Sequence, residues 1–182
     1  MSFLRIALIS HEFPPYMFGG IGSQCYDLAC SLSKQGVHVT VFSGKSRELS
    51  VEKMGCCLEV VRMPFINVPP RSVWFQLQNL TSLLRLLKAY SVVHIVEPRD
   101  SVILTYFKKR LGKPIVASIH EVPQQMLRAV ATNSSISNWS LGDIGYYVLE
   151  YPFDNFALKS VLRNSDHIVT CGFHTLRGIK EV

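Results

Sequence analysis

Three short stretches carry residues whose types and spacing suit chemistry. The first is His11-Glu12-Phe13-Pro14-Pro15-Tyr16-Met17-Phe18-Gly19-Gly20-Ile21-Gly22, which follows an apolar run from Leu4 to Ile9. Adjacent prolines cannot continue a β-ladder, so a strand has ended by there. Gly19, Gly20 and Gly22 lack the side chains that would hold a ligand away from the backbone. A helix starting at this point presents unpaired N–H groups and the positive end of its dipole, a setting for a phosphate or a sugar oxygen. A tight strand-to-helix turn with no ligand is the plain alternative. The second stretch is Glu97-Pro98-Arg99-Asp100, and the third is His120-Glu121. An imidazole closing an apolar strand, as His120 does, can donate to a substrate hydroxyl or act as a base. Glu12, Glu97 and Glu121 have the chemistry for acid and base work on a glycoside. Against that stands a solvated or salt-bridged role, for example Glu97 with Arg99. His11 is placed by sequence near the same turn. His94 lies inside a strand and is expected to be buried and hydrogen-bonded, and His38, His167 and His174 are assigned no role.

Several chemistries lack their residues. The glycine turn is not G-x-G-x-x-G and has no P-loop lysine, so a dinucleotide site or a nucleotide hydrolase is disfavoured. There is no G-x-S-x-G elbow, no D-x-D pair and no metal-ligand spacing of His and Cys, so no metal site is expected. Cys25 and Cys30 fall on the first helix, with no histidine placed to make either a nucleophile.

Positioning these stretches requires alternating strands and helices. Leu4–Ile9 is apolar enough for a strand buried on both faces. From Ile21 the pattern turns helical, with Ile21, Cys25, Leu28, Ala29 and Leu32 on one face and Gly36 as the C-cap. Val37–Ser43 is β-branched and strand-like, ended by Gly44, and residues 45 to 56 read as loop. Leu58–Met63 makes a third strand. Ser72 is the expected N-cap of a helix over about 73 to 90, with Val73, Leu77, Leu80, Leu84 and Leu87 facing inward and Trp74, Leu83 and Leu86 widening that face. Val92–Val96 is a fourth strand, 101 to 111 a helix, and Ile115–Ile119 a fifth strand. Residues 121 to 143 carry no clear period. Asn133 to Asn138 reads as a loop, with Gly142 and Gly145 bracketing Asp143. A helix over about 146 to 163 meets Pro152, which should kink or restart it. His167–Thr170 is a sixth strand, and a last helix begins at Thr175. This order predicts an α/β fold: a doubly wound, three-layer, Rossmann-like parallel sheet. With strand order 3-2-1-4-5, the winding reverses between the first and fourth strands. His11, Glu12, the three glycines, Glu97, Arg99, Asp100, His120 and Glu121 then surround one crevice.

The chain has 182 residues, 48% of them hydrophobic and 18% charged, which suits a globular α/β core. Its net charge of +6 is partly clustered in Lys108, Lys109, Arg110 and Lys113. An anionic membrane surface, a phosphorylated substrate or simple solubility all suit that cluster. Nucleic acid is disfavoured, because aromatic and basic residues do not interleave. Five cysteines without a C-x-x-C pair predict reduced thiols in a cytoplasmic setting. Neither a signal peptide nor a run long enough to span a bilayer is present in the sequence.

The ordered pieces resemble a known family. Arg5-Ile-Ala-Leu-Ile-Ser10, Glu12-Phe-Pro-Pro15, Gly19-Gly-Ile-Gly22 and Val39-Thr-Val41 look like the opening of a GT-B glycosyltransferase of family 4. Val93-His-Ile95, Gly112-Lys-Pro-Ile-Val116 leading to His120, and Arg163 to Thr170 fit its later strands. The resemblance implies one Rossmann-like, acceptor-binding domain over residues 1–182, half of a two-domain GT-B enzyme. It implies a nucleotide-sugar donor, a glycan or lipid-linked acceptor, retention of configuration, and no metal or other cofactor. Residue by residue, Gly19 and Gly20 approach the donor diphosphate or sugar, with Gly22 in the same turn, and His120 contacts the transferred sugar. Glu97 to Asp100 and the loop after His120 shape the acceptor pocket. Glu121-Val122 departs from the glycine or aspartate often found after that histidine. The family's E-x7-E donor motif has no counterpart here, so the donor-binding domain is expected to be missing and the chain inactive alone. A stand-alone binding module for a phosphorylated ligand or an anionic lipid headgroup, using the glycine turn and the lysine cluster, is the rival expectation.

Overall fold

The computed structural model describes residues 4–16, 19–46, 49–68, 70–133, 145, 148 and 150–182. Seven strands form one sheet: β1 (Arg5–Ile9), β2 (His38–Ser46), β3 (Ser50–Lys53), β4 (Leu58–Pro64), β5 (Val92–Ile95), β6 (Ile115–Ile119) and β7 (His167–Thr170). Their order is β3-β4-β2-β1-β5-β6-β7. Every pairing is parallel except β3 with β4. With β3 added at one edge and β7 at the other, this contains the 3-2-1-4-5 order expected from the sequence, and the winding reverses between β1 and β5. The loops that follow these two strands therefore flank the point where the crossover helices leave for opposite faces.

The helices are α1 (Gly20–Lys34), α2 (Arg71–Leu86), α3 (Val102–Tyr106), α4 (Lys108–Leu111), α5 (Pro123–Asn133), α6 (Tyr151–Asn164) and α7 (Phe173–Lys180). One face of the sheet is covered by α1, whose Cys25 and Ala29 pack with Leu8, Val39, Val41 and Val60. The other is covered chiefly by α2, α3 and α6, through Phe75, Leu83, Leu84, Leu104, Leu158 and Val161 against Ile9, Phe42, Val93, Ile95 and Ala117. Each such fully buried Val, Leu, Ile or Phe side chain contributes about 1.5–3 kcal/mol.

Several local expectations give way to tertiary context. Residues 50–53 are strand, not loop: β3 is an antiparallel edge whose ladder partner, β4, supplies the hydrogen bonds that its weak alternation cannot advertise. Gly44 does not end β2. The strand runs on through it, and a Cβ at Gly44 would meet the Phe65 ring at 2.7 Å, so the glycine serves close approach. In α2 the N-cap is Pro70, and Ser72 is buried in the first turn. Leu77 is 55% exposed, while Phe75, Gln76 and Asn79 face inward. That rotates the buried face relative to the expected one, because two polar residues have interior partners described below. The expected helix over 101 to 111 breaks at Phe107 into α3 and α4. Helix α5 occupies part of the stretch without a clear period. Helix α6 starts at Tyr151 with Pro152 in its first turn, where a missing N–H costs nothing. The expected loop after Asn133, and Gly142 with Asp143, lie outside the described residues.

Arg62 on β4 is 1% exposed. Its Nε donates to Glu52 Oε2 at 3.0 Å, Nη1 donates to the Phe13 carbonyl at 3.1 Å, and Nη2 donates to the Pro14 carbonyl. The guanidinium also lies 5.5 Å from the Phe13 ring centroid and 5.6 Å from that of Tyr16. One buried cation thus fixes the loop after β1 to the far side of the sheet. Arg62→Ala takes the guanidinium away from the Phe13 and Pro14 carbonyls and from Glu52, and is expected to cost about 3 kcal/mol in chemical denaturation. A loss below about 1 kcal/mol would show that water replaces the guanidinium there.

Candidate functional site

The site is built where β1 and β5 end. The Val96 N–H donates to the Ile9 carbonyl at 3.1 Å, holding the two strand ends together. From the β5 loop, a 3-10 turn at Pro98–Asp100 sends Asp100 inward, where it is fully buried. Asp100 Oδ2 accepts the His11 backbone N–H at 2.8 Å, and Oδ1 meets His11 Nδ1 at 2.6 Å. A carboxylate only accepts, so Nδ1 carries the hydrogen and the ring's other nitrogen, Nε2, is turned away from Asp100. That nitrogen lies 3.5 Å from Glu12 Oε1. Glu12 Oε2 in turn accepts the Gly19 N–H at 3.1 Å, at the mouth of α1. The first acceptor of the helix-terminal amides is therefore the chain's own carboxylate.

Burial by itself lowers the pKa of His11. The charge and hydrogen bond of Asp100, with the charge of Glu12, outweigh it and the opposing Arg99, and raise the pKa above the ordinary value. Glu97 behaves differently. Burial pushes its carboxyl up from 4.5 to about 8, against the lowering influence of Arg99. Near neutrality it is therefore largely protonated, and Arg99 relies on Asp154 (3.6 Å) and Glu150 (3.9 Å), with Glu97 at 3.7 Å.

Two hollows open on this cluster. A cavity of about 460 Å³ is lined by His11, Glu12, Pro70, Arg71, Ser72, Val73, Arg99, Glu150, Phe153 and Asp154. A smaller crevice is lined by Glu97, Pro98, Arg99, Glu121, Pro123, Asp154 and Leu158. Arg99 and Asp154 border both. Asp100 is not on the cavity surface; it stands behind His11. Among the described residues, the walls of the larger cavity include neither His120 nor Gly19, Gly20 and Gly22. Gly19 and Gly20 are exposed, and a Cβ at either would meet nothing within 4 Å among the described residues, whereas Gly22 is buried in the first turn of α1.

His120 ends β6 on the same sheet edge, one strand beyond β5, so it stands roughly 10 Å from the end of β1. Its Nε2 donates to the Val96 carbonyl at 2.9 Å, and Nδ1 has no hydrogen-bond partner among the described residues. The His120 carbonyl accepts from Thr175 Oγ1 and Cys171 Sγ, both at 3.3 Å, tying β6 to α7. His94 is half-buried, with its ring 2.8 Å from Ser118 Oγ, and burial together with the charge of His120 pulls its pKa down to about 4.

Sequence reasoning missed Gln76, whose Nε2 donates to the Arg99 carbonyl and whose Oε1 accepts the Ile103 N–H at 2.7 Å. It clamps the turn that carries Arg99 and Asp100. A glutamine interrupting an apolar helix face was the available signal. Asp154, Phe153, Glu150 and Arg71 were also missed, since only packing brings α2 and α6 to this edge.

The sheet order and the reversal at β1 and β5 define a doubly wound, Rossmann-like α/β domain. The family model for Glycosyltransferase Family 4 matches residues 18–181, and the chain belongs to that family. Solved structures share its fold. Sucrose-phosphate synthase from Thermosynechococcus elongatus superposes with a TM-score of 0.63 at 18% identity, over 91% of this chain and 41% of that one. Os79 from O. sativa, solved with U2F and trichothecene, gives 0.58 at 11% identity, over 97% of this chain and 49% of that one. HepE from Anabaena, solved with UDP and glucose, gives 0.53 at 14%, over 98% and 41%. The chain thus spans less than half the length of each. No curated protein matches.

The titrations make stability pH-dependent. Glu97 binds its proton more tightly folded than unfolded, so its contribution falls as pH rises from about 4.5 to about 8. His11 has the same sign: its raised pKa adds stability at low pH that is lost as pH rises through the folded value. Thermal unfolding is expected to occur at lower temperature on the alkaline side of neutrality, and Glu97→Gln is expected to flatten the profile. A profile rising through that range would contradict the assignment of Glu97 as a buried neutral acid.

Proposed function

We propose that this chain is the acceptor-binding half, one domain over residues 1–182, of a retaining glycosyltransferase. In this reading it moves a hexosyl group from a nucleotide sugar to a sugar or lipid-linked acceptor, without a metal, in the cytoplasm. His11, Glu12, Glu97, Arg99, Asp100 and Glu121 form or support the acceptor pocket, Gly19, Gly20 and Gly22 keep the approach to the donor open, and His120 contacts the transferred sugar. The carrying observation is the open space at Gly19 and Gly20. Neither residue has a positive φ, and among the described residues neither has a neighbour that a methyl group would touch. The described residues give no steric reason for glycine at these positions, whereas a ligand seated beside the turn does; the Gly19 amide itself is taken by Glu12 Oε2. The UDP and UDP-glucose bound by HepE are consistent with a nucleotide-sugar donor.

The rival binding module draws on the lysine cluster, yet Lys108 is already 2.6 Å from Asp166. Lys109 and Arg110 remain exposed, and they, with Lys113, supply the proposed peripheral contact with an anionic membrane. Among the described residues, no helix is long and apolar enough to cross a membrane.

Gly20→Ala separates a ligand-binding turn from a plain one. It replaces a helix-terminal glycine by a better helix former and is expected to raise stability slightly, by less than about 1 kcal/mol. In the full-length transferase it is expected to raise KM for the nucleotide sugar about 10-fold or more. His120→Ala is expected to lower kcat about 100-fold with folding retained. Unchanged kinetics in Gly20→Ala, or sugar transfer by the 182-residue chain alone, would count against this reading.

A further inference from the structure

The outer sides of α3, α4 and α6 carry a mixed aromatic and basic surface that the cavity does not use. Tyr106, the last residue of α3, is 59% exposed, and Phe156, in the second turn of α6, is 52% exposed. Their ring centroids are 6.5 Å apart and their planes differ by 18°, so the rings stack across the seam between the two helices. The stack covers one face of each ring and leaves the remaining apolar surface in water.

Cations surround this pair. Lys109 and Arg110 follow Tyr106 by three and four positions and are exposed, and Lys113 follows the turn that ends α4. On α6, Lys159 and Arg163 follow Phe156 by three and seven positions, which places them on the same helix face. Segment 102–113 contains no Asp or Glu, and segment 151–164 contains only Asp154, which is buried and engages Arg99. Lys108 is taken by Asp166. Among the described residues, Lys109, Arg110, Lys113, Lys159 and Arg163 have no carboxylate within ion-pair distance.

The combination selects its partner by chemistry. A nucleic acid stacks its bases on open ring faces, and here each ring already covers the other. An anionic lipid leaflet presents negative charge to the cations and, just beneath it, a headgroup zone in which aromatic rings settle. Lysine and arginine stems are long enough to lie along the rings while their charged ends reach the lipid phosphates.

We infer that the face built by Tyr106, Phe156 and these cations docks on an anionic lipid leaflet, with the stacked rings as its apolar anchor. This rests on the membrane contact in the proposed function and deepens it, adding the anchor and a second basic row from α6. Stable attachment takes two signals, and an apolar anchor beside a basic patch supplies both. Phe156 stands one turn along α6 from Phe153, which lines the cavity, so a leaflet on this face lies beside the rim of the acceptor pocket.

Sedimentation of this chain with phosphatidylcholine vesicles, with and without phosphatidylglycerol, tests the face. Binding is expected only when phosphatidylglycerol is present, and is expected to weaken as salt rises. Lys109→Ala combined with Arg110→Ala is expected to lower affinity about 25-fold, or about 5-fold for each cation. Tyr106→Ser combined with Phe156→Ser is expected to lower it about 10-fold with the salt dependence unchanged, and Tyr106→Trp is expected to retain it. All of these positions are at the surface, and thermal unfolding checks that each variant is folded. Equal binding to both kinds of vesicle, or binding to neither, overturns the proposal. Parental affinity in the aromatic variant overturns the anchor and leaves a purely electrostatic contact. Tighter binding to a single-stranded oligonucleotide than to the vesicles at the same salt concentration overturns it in favour of nucleic acid. None of these outcomes bears on sugar transfer, which kinetics of the full-length transferase with a soluble acceptor decide separately.

Discussion

The buried carboxylate of Asp100 is the constraint on which the site depends. An ionisable group with no exposure must be fully hydrogen-bonded, and here both oxygens are spent on one residue, His11. The backbone bond fixes where the chain leaves β1, and the ring bond fixes the imidazole. Because β1 and β5 are neighbours at the winding reversal, this contact bridges two loops separated by 89 positions in sequence. Gln76 and Arg62 perform the corresponding work from α2 and β4, one clamping the Asp100 turn and the other the Phe13–Pro14 carbonyls. The loops at this edge are thereby held by buried polar groups as well as by the apolar packing of Phe13 and Val96.

A second consequence is the uneven treatment of charge. Arg99 collects carboxylates from its own turn and from α6, yet Glu97, two positions before it, is the one pushed toward neutrality by burial. Asp154 and Glu150 keep the arginine paired when Glu97 carries a proton. A titratable acid thus sits beside the crevice without leaving the cation unbalanced.

The six strands of the parallel sheet were legible because each is a short apolar or β-branched run separated by helical periods, and a two-sided parallel sheet demands such runs. The end of β1 before the paired prolines and the start of a helix at the glycine cluster were legible as well. Edge strand β3 was not, because its four residues have no pattern of their own and exist as strand only by pairing with β4. Nor was the rotation of α2, where buried Gln76 and Asn79 displace the expected Leu77 from the inward face. A helical wheel weighs hydrophobicity and has no access to the carbonyls those amides reach, such as Pro64 for Asn79.

By itself, the amino-acid order determined the class of fold, the edge of the sheet where chemistry-bearing residues gather, and their likeness to family 4. Periodicity and turn residues act locally, and those features follow from local rules. Only the tertiary structure decided which of those residues touch. It put Asp100 behind His11 rather than at the surface, buried Gly22 while leaving Gly19 and Gly20 open, and brought Phe153 and Asp154 from α6 to the same cavity. Such pairings are set by how helices settle on a twisted sheet, where the partners of a buried polar group come from any distance along the chain.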